Sequence, residues 1–378
     1  MKLTLTLTLA VVAAAVSLRA GQPVLSDKPD TPFKLATFEA GGRTRLGMVL
    51  DTRVLDIAAA NAQLIARAKL AKMEMPGDMR TLIEQYATLK PRLYQIANYF
   101  AANPPAGQPF AFDANAVSYK APIKYPWNIV AAAANYRAHA EGMGAVGVGA
   151  PAPSPAAGAA PAAPPAGFNA AAAALVNPDR DAPVLFAKSP RSCIIDPGEA
   201  YYIPPGRERI DWEGELAVVM GTAARLVTRE RAHDYVFGYS IMYDVSDRGG
   251  RAREVSMFPG TNWFDGKSID RGAPFGPVIV PKEFIPDAEK LRVVTRVNGE
   301  VMQDANTDQF IWKERHLISY TSSILTLYPG DVISTGTPSG TGMERQKFLK
   351  PGDTVAIEIE RIGTLTTPIK AWSEMPPR

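Results

Sequence analysis

Two glutamates separated by one glycine, Glu213-Gly214-Glu215, stand at the mouth of the apolar run Leu216 to Met220. If that run is a buried strand, its side chains alternate faces, so Glu213 and Glu215 point the same way and their oxygens can converge on one cation. Two like charges side by side are costly unless a metal or a cationic ligand neutralises them. As a bare pattern Glu-x-Glu is weak, and on a solvated strand edge it would mean nothing. A second apolar segment raises it: Gly238-Tyr-Ser-Ile-Met-Tyr-Asp244 also ends in a carboxylate, 29 residues after Glu215.

The elements that must position these acids are predominantly strands. From Pro183 onward the chain reads as strands at Leu216–Met220, Tyr235–Tyr243, Val278–Val280, Leu291–Val297, Asp331–Ser334 and Thr354–Ile359. Turns at Asn298-Gly299, Pro329-Gly330 and Pro351-Gly352 separate them, and one helix falls around Gln309 to Leu327. This predicts a β-rich α+β catalytic domain over 126–378, a rolled or barrel-like mixed sheet rather than a parallel sandwich. Ahead of it, Lys34–Glu39, Arg45–Leu50 and Arg53–Asp56 read as short strands with a Gly41-Gly42 hairpin turn. Helical spacing follows from Ala58 to Ala102, broken at Pro76-Gly77 and Pro91. Residues 30–122 are thus expected to form a small N-terminal α/β domain.

Between Ala150 and Ala174, 20 of 25 residues are Ala or Pro. Such a stretch has almost nothing to bury, so residues 145–178 read as a flexible insertion or lid. At the other extreme, Lys2, the apolar run Leu3 to Val16 and Ala15-Val16-Ser17 read as a signal peptide over 1–20. Export to the periplasm or medium follows if it is one, and a cytoplasmic place otherwise. No other stretch approaches the length of a membrane span. The chain has 378 residues, a formal charge of +3 and no basic stripe, which argues against nucleic acid as a partner. The single cysteine, Cys193, lies among Ser192, Ile194 and Ile195 and reads as a packed small side chain. His233 and His316 read as structural.

The chain resembles the fumarylacetoacetate hydrolase family across nearly its whole mature length. The blocks that carry the likeness are Asn135-Tyr-Arg-Ala-His-Ala140, Ile210-Asp-Trp-Glu-Gly-Glu-Leu-Ala-Val-Val-Met-Gly221, Tyr243-Asp-Val-Ser246 and Gly266-Lys-Ser-Ile-Asp270. Further ones are Val297-Asn-Gly-Glu-Val-Met-Gln-Asp304, Pro329-Gly-Asp-Val-Ile-Ser-Thr-Gly-Thr-Pro-Ser-Gly340 and Leu349-Lys-Pro-Gly-Asp353. The resemblance implies a divalent cation held by Glu213, Glu215 and Asp244. Three carboxylates are hard oxygen ligands, suited to Mg²⁺, Mn²⁺ or Ca²⁺, and no Cys or His set for zinc accompanies them. It also implies the family's mixed β-roll, a small oxo-acid substrate and a homodimer.

By the same resemblance Lys267 is the active-site lysine and His139 the water-activating base. That histidine typically pairs with a glutamate three residues later, but position 142 is Gly and the nearest acid is Glu141. On a helix Glu141 points elsewhere; on an irregular lid it could still reach the ring. Tyr136, Arg248, Arg251 and Thr337 are the expected substrate contacts. Arg248 keeps a basic position able to grip a carboxylate in bidentate fashion, and Arg251 stands where the family commonly has glutamine, suggesting a more anionic substrate. The Thr337 loop lacks the Gly-Lys-Ser/Thr signature of a phosphate loop.

Together these imply a metal-dependent hydrolase cleaving a C–C bond in a diketo acid or acylpyruvate. Decarboxylation of a 2-oxo diacid and isomerisation of an unsaturated oxo acid are alternatives on the same scaffold. An exported protein that captures an oxo acid without turning it over is the alternative of another class.

Overall fold

The computed structural model describes residues 25–145, 175–249 and 262–376. The expected leader, most of the Ala/Pro-rich insertion and Arg251 lie outside these residues. The fold is α+β and dominated by strands, as the patterning predicts.

Lys34–Ala40 and Arg43–Leu50 pair as a hairpin around Gly41-Gly42, and Arg53–Asp56 adds to it. Asp56 then caps the helix Ile57–Ala68, accepting from the Ala59 amide. Pro91 lies inside the helix Tyr86–Ala102, and the chain instead breaks at Gln85, between that helix and Met79–Glu84. A proline removes one intrahelical hydrogen bond, while Leu89, Leu93, Ile96 and Ala97 on the same helix are buried, and here packing wins. The strands of this N-terminal part do not form a sheet of their own. Lys34–Ala40 pairs antiparallel with Ala273–Pro281, so they extend the large sheet of the remaining chain.

At the centre of that sheet lie Gly214–Met220 and Val236–Tyr243, antiparallel and buried along their whole length. Ala273–Pro281 flanks one side and Val332–Ser334 the other. The two faces of Gly214–Met220 enter different cores. Leu216, Val218 and Met220 pack with Val293, Val355 and Ile357 of a second, five-stranded sheet; Ala217 and Val219 pack with the helical residues Leu82, Leu93 and Ile96. A strand covered on both sides must be apolar throughout, which is why this one shows no polar alternation.

The register sets up the chemistry. Gly214 pairs with Tyr243, and the Asp244 amide bonds the Glu213 carbonyl at 3.0 Å, so Asp244 stands across from Glu213. Gly214 faces the five-stranded sheet: a Cβ there would lie 2.3 Å from Thr295 Oγ1 and 2.9 Å from an Ile357 methyl. The residue between the two glutamates therefore has no room for a side chain. Gly214→Ala should cost about 1–3 kcal/mol in urea unfolding through overpacking and weaken Mn²⁺ binding in calorimetry by moving both acids. Unchanged stability and affinity would show that the strand has slack.

Candidate metal centre and active site

One carboxylate oxygen each from Glu213, Glu215 and Asp244 lies within 4.8 Å of the others, and all three residues are buried. Glu213 ends the loop before the strand, Glu215 is its second residue, and Asp244 follows Val236–Tyr243. Alternation and register alone thus bring the predicted acids together.

Three cations are packed against them. Lys267, from the short helix Trp263–Lys267, donates to Asp244 Oδ2 at 2.6 Å, to Ser246 Oγ at 2.6 Å and to Glu213 Oε2. Lys188 follows the strand Leu185–Ala187; its fully buried side chain donates to Asp244 Oδ1 at 2.5 Å and to the Lys267 carbonyl. Arg248 spans two acids, its Nε bonding Asp211 Oδ2 at 2.8 Å and its Nη2 bonding Glu213 Oε1. Glu215 is held differently: its Oε2 accepts from Ser334 Oγ at 2.5 Å and from the Gly336 amide at 2.9 Å, both neutral donors. The ring of Phe186 lies 5.1 Å from the Lys267 ammonium and stacks on Trp263, giving the site an apolar wall.

Four buried acids (Asp211, Glu213, Glu215, Asp244) therefore face two buried lysines (Lys188, Lys267) and the partly buried Arg248. The shortfall falls on Glu215, the acid without a cationic hydrogen-bond partner. Burial, then Asp244 and Glu213, push its carboxyl up to about 8. Glu213 goes the other way: burial opposes its charge, but Arg248 and Lys267 hold it well below the usual carboxylate range. Burial also works against the Lys267 ammonium, and Asp244 and Glu213 more than offset it, so its pKa is raised.

The remaining sequence candidates divide. His139 is buried on the helix Arg137–Ala145, close enough to Glu213 for its ring to be among the charges that hold that acid low. Glu141 points into solvent. The acid that reaches His139 is Glu344, with Oε1 3.3 Å from the ring Nδ1. Tyr136 is wholly buried and packs edge-on against Phe310. Arg248, expected at a substrate carboxylate, has its Nε and Nη2 bonded to Asp211 and Glu213. Thr337, expected at the substrate, donates to the Gly214 carbonyl at 3.1 Å and accepts from Gln303 Nε2 at 2.8 Å, bracing the metal-site strand from behind.

Sequence reasoning missed Lys188, Asp211 and Glu344. Asp211 belongs to the same Asp-Trp-Glu-Gly-Glu stretch and could have been singled out there. A lone lysine in Phe186-Ala-Lys188 carries no signal that it will be buried, and Glu344 lies 205 residues from its partner.

The sequence profile for the fumarylacetoacetate (FAA) hydrolase C-terminal domain matches residues 128–370. The chain belongs to the fumarylacetoacetate hydrolase family. Among curated relatives, the rat protein named oxaloacetate tautomerase Fahd2a, mitochondrial, is 40% identical over 185 residues, which is 48% of this chain and 57% of that protein. The match thus spans little more than half of that relative. Among solved structures, maleylpyruvate hydrolase from Sphingobium sp. SYK-6, in complex with manganese(II) and pyruvate, aligns over 89% of this chain and 99% of its own, at 26% identity and a TM-score of 0.60. Fumarylacetoacetate hydrolase from Exiguobacterium antarcticum aligns over 90% and 99%, at 28% identity and a TM-score of 0.61.

In this family member the residues fit a divalent cation. The donor set is all oxygen, each carboxylate keeps lone pairs beyond its present hydrogen bonds, and the cluster is short of positive charge. The ordinary carboxyl value for Glu215 is 4.5 and its folded value is about 8, so its protonated form contributes stability that is complete below the former and lost as pH rises through the latter. The Tm of EDTA-treated protein should therefore fall across that window, and Mn²⁺ should raise it most at the alkaline end. Glu215→Gln should abolish the fall, and a Tm indifferent to pH in the parent protein would contradict the charge count.

Removing Lys188 leaves Asp244 with a buried charge only partly compensated. Lys188→Met should lower unfolding free energy by about 3–5 kcal/mol in metal-free protein. Lys347→Met, whose partner Glu300 is exposed, should cost under about 1 kcal/mol. Equal effects would mean that the Lys188–Asp244 pair is no tighter than a surface one.

Proposed function

We propose that this chain enolises 2-oxo acids and interconverts the keto and enol forms of a 2-oxo diacid, with Mg²⁺, Mn²⁺ or Ca²⁺ held by Glu213, Glu215 and Asp244. The observation that carries this reading is the buried triad of carboxylates with the Lys267 ammonium bonded to two of them. The 40% identity to a protein named for oxaloacetate tautomerisation supports the choice of substrate class.

When bound, the cation supplies a Lewis acid for the two oxygens of a 2-oxo acid. Lys267 stays protonated in its carboxylate cage and offers a fixed positive charge where the oxo oxygen becomes negative. Ser246 holds that ammonium from a third direction. In this reading His139 takes the proton from the carbon beside the oxo group and returns it to oxygen. Phe186 lays an apolar ring against the ammonium, and Trp263 stacks on that ring.

A second reading is hydrolysis of a C–C bond in an acylpyruvate or diketo acid, and one observation favours it. His139 paired with Glu344 is the arrangement of a base that could also activate water. The Sphingobium neighbour is a maleylpyruvate hydrolase, and hydrolysis adds one water attack to the same enolate chemistry.

Oxaloacetate freshly dissolved as its enol, with Mn²⁺, should lose its ultraviolet enol absorbance faster with the protein than with Mn²⁺ alone. Asp244→Asn and Lys267→Met should each lower the rate by about 100-fold or more. Splitting of an acylpyruvate into two acids, with no acceleration on oxaloacetate, would move the assignment to the second reading. Inertness toward both would sink the enolisation proposal.

A further inference from the structure

His316, which reads as structural in the sequence, lies in the first turn of the helix Glu314–Ile324 and is only 4% exposed. Its Nδ1 accepts from the Lys313 amide at 3.0 Å, which closes the start of that helix. A nitrogen that accepts carries no proton, so the neutral ring holds its proton on Nε2. Burial, then the neighbouring Arg315 charge, keep the imidazole's pKa below its ordinary value and favour this neutral form. Nε2 is thus a fixed N–H donor, and it is buried with no hydrogen-bond partner among the described residues. Buried donors are nearly always paired, because an unpaired one has given up its bonds to water for nothing.

The ring borders a cavity of about 250 Å³, lined also by Arg180, Arg229, Trp312, Ser319 and Tyr320. A water molecule takes up about 30 Å³, so the space admits a small polyatomic ligand. Trp312 gives it an apolar wall and is held from behind by Asn135, which bonds its amide at 2.7 Å and its carbonyl at 2.9 Å. Arg229 comes from the turn Arg229–Tyr235, which packs against the His316 helix. The cavity shares no residue with the carboxylate triad and is a separate place in the fold.

The chain itself shows which chemistry suits this place. The carboxylate of Asp179 lies over it, with Oδ1 2.9 Å from Arg229 Nη1 and 3.5 Å from His316 Nε2. A guanidinium and an imidazole N–H therefore converge on one carboxylate oxygen. The fit is incomplete: that oxygen makes no hydrogen bond with Nε2, and the Asp179 side chain is 78% exposed. An ion pair this open to water is held weakly. Its neighbours Arg180 and Asp181 pair with each other, at 2.8 and 2.7 Å, and add no net charge. An anion not tied to the backbone can sit deeper than Asp179, satisfy Nε2 and replace the charge that Asp179 withdraws.

We propose that this cavity binds a small oxyanion, a phosphate or a carboxylate, through the His316 Nε2–H and the Arg229 guanidinium, and that Asp179 is the tethered carboxylate it displaces.

Inorganic phosphate and acetate, titrated separately into the full chain, are the probes. The ¹⁵N signal of His316, assigned by substituting the other two histidines, should show the Nε2–H tautomer and shift with at least one of them. Tighter binding of phosphate names a phosphate-bearing ligand, and tighter binding of acetate a carboxylate. Asp179→Asn removes the internal competitor and should tighten binding by about twofold to fivefold. Arg229→Gln removes a charged donor and should weaken it by about tenfold or more. Both changes fall on the exposed pair, so circular dichroism should stay parental.

A His316 signal that neither anion moves would overturn the proposal. So would weaker binding in Asp179→Asn, or binding that Arg229→Gln leaves unchanged. None of these readouts depends on which oxo acid the metal centre turns over.

Discussion

Four carboxylates cannot share the dry end of one pair of strands unless cations are buried with them, and that constraint organises the molecule. Each positive charge comes from a different stretch: Lys188 after Leu185–Ala187, Arg248 after Ser246–Asp247, and Lys267 from Trp263–Lys267. Bringing the three to one point requires the sheet order, which places Ile129–Ala132 and Leu185–Ala187 beyond Val332–Ser334 and puts Ala273–Pro281 beside Val236–Tyr243. The cluster stops one charge short of neutrality, which leaves its carboxylates open to a further cation. Much of the fold thus serves to make a charged centre tolerable inside an apolar one.

Rigidity comes from groups that touch no ligand position. Gln303 accepts from the Gly214 amide at 3.2 Å and donates to Thr337 and the Pro338 carbonyl, while Thr337 bonds the Gly214 carbonyl. The glycine between the two glutamates is therefore gripped on both its amide and its carbonyl. Asn135 plays a similar part before His139, donating to the Trp312 and Thr335 carbonyls and accepting from the Trp312 amide. Buried polar networks of this kind hold a site in one geometry because each broken bond would leave a buried group unsatisfied.

What is legible in the sequence follows from how local its cause is. Strand alternation is local, so a spacing of two residues is enough to place Glu213 and Glu215 together, and the apolar run ending at Asp244 supplies the third acid. The hairpin at Gly41-Gly42 and the long strands are readable for the same reason. Lys188 and Glu344 are not, because their roles depend on which distant segments the sheet brings together. The same blindness hides the union of the N-terminal strands with the central sheet, since the pairing of Leu35 with Ile279 leaves no mark near either residue. Arg248 and Thr337 are visible as polar residues in the right blocks, but their partners are not; both are engaged with protein groups that only the folded chain brings near.

The mutual exclusion of a side chain at 142 and the carboxylate of Glu344 also bears on how such a chain can change over time. With Glu344 anchored at Gly340 and Thr341, a side chain at 142 would meet its Oε1 at 2.3 Å, and the carboxylate would have to shift. With glycine at 142, losing Glu344 removes the carboxylate that lies against the Nδ1 of His139. Each position therefore constrains what the other can become, since the two side chains would share one volume beside the ring. Two positions some 200 residues apart in the chain thus divide a single space between them, so a change at either is felt first at the other.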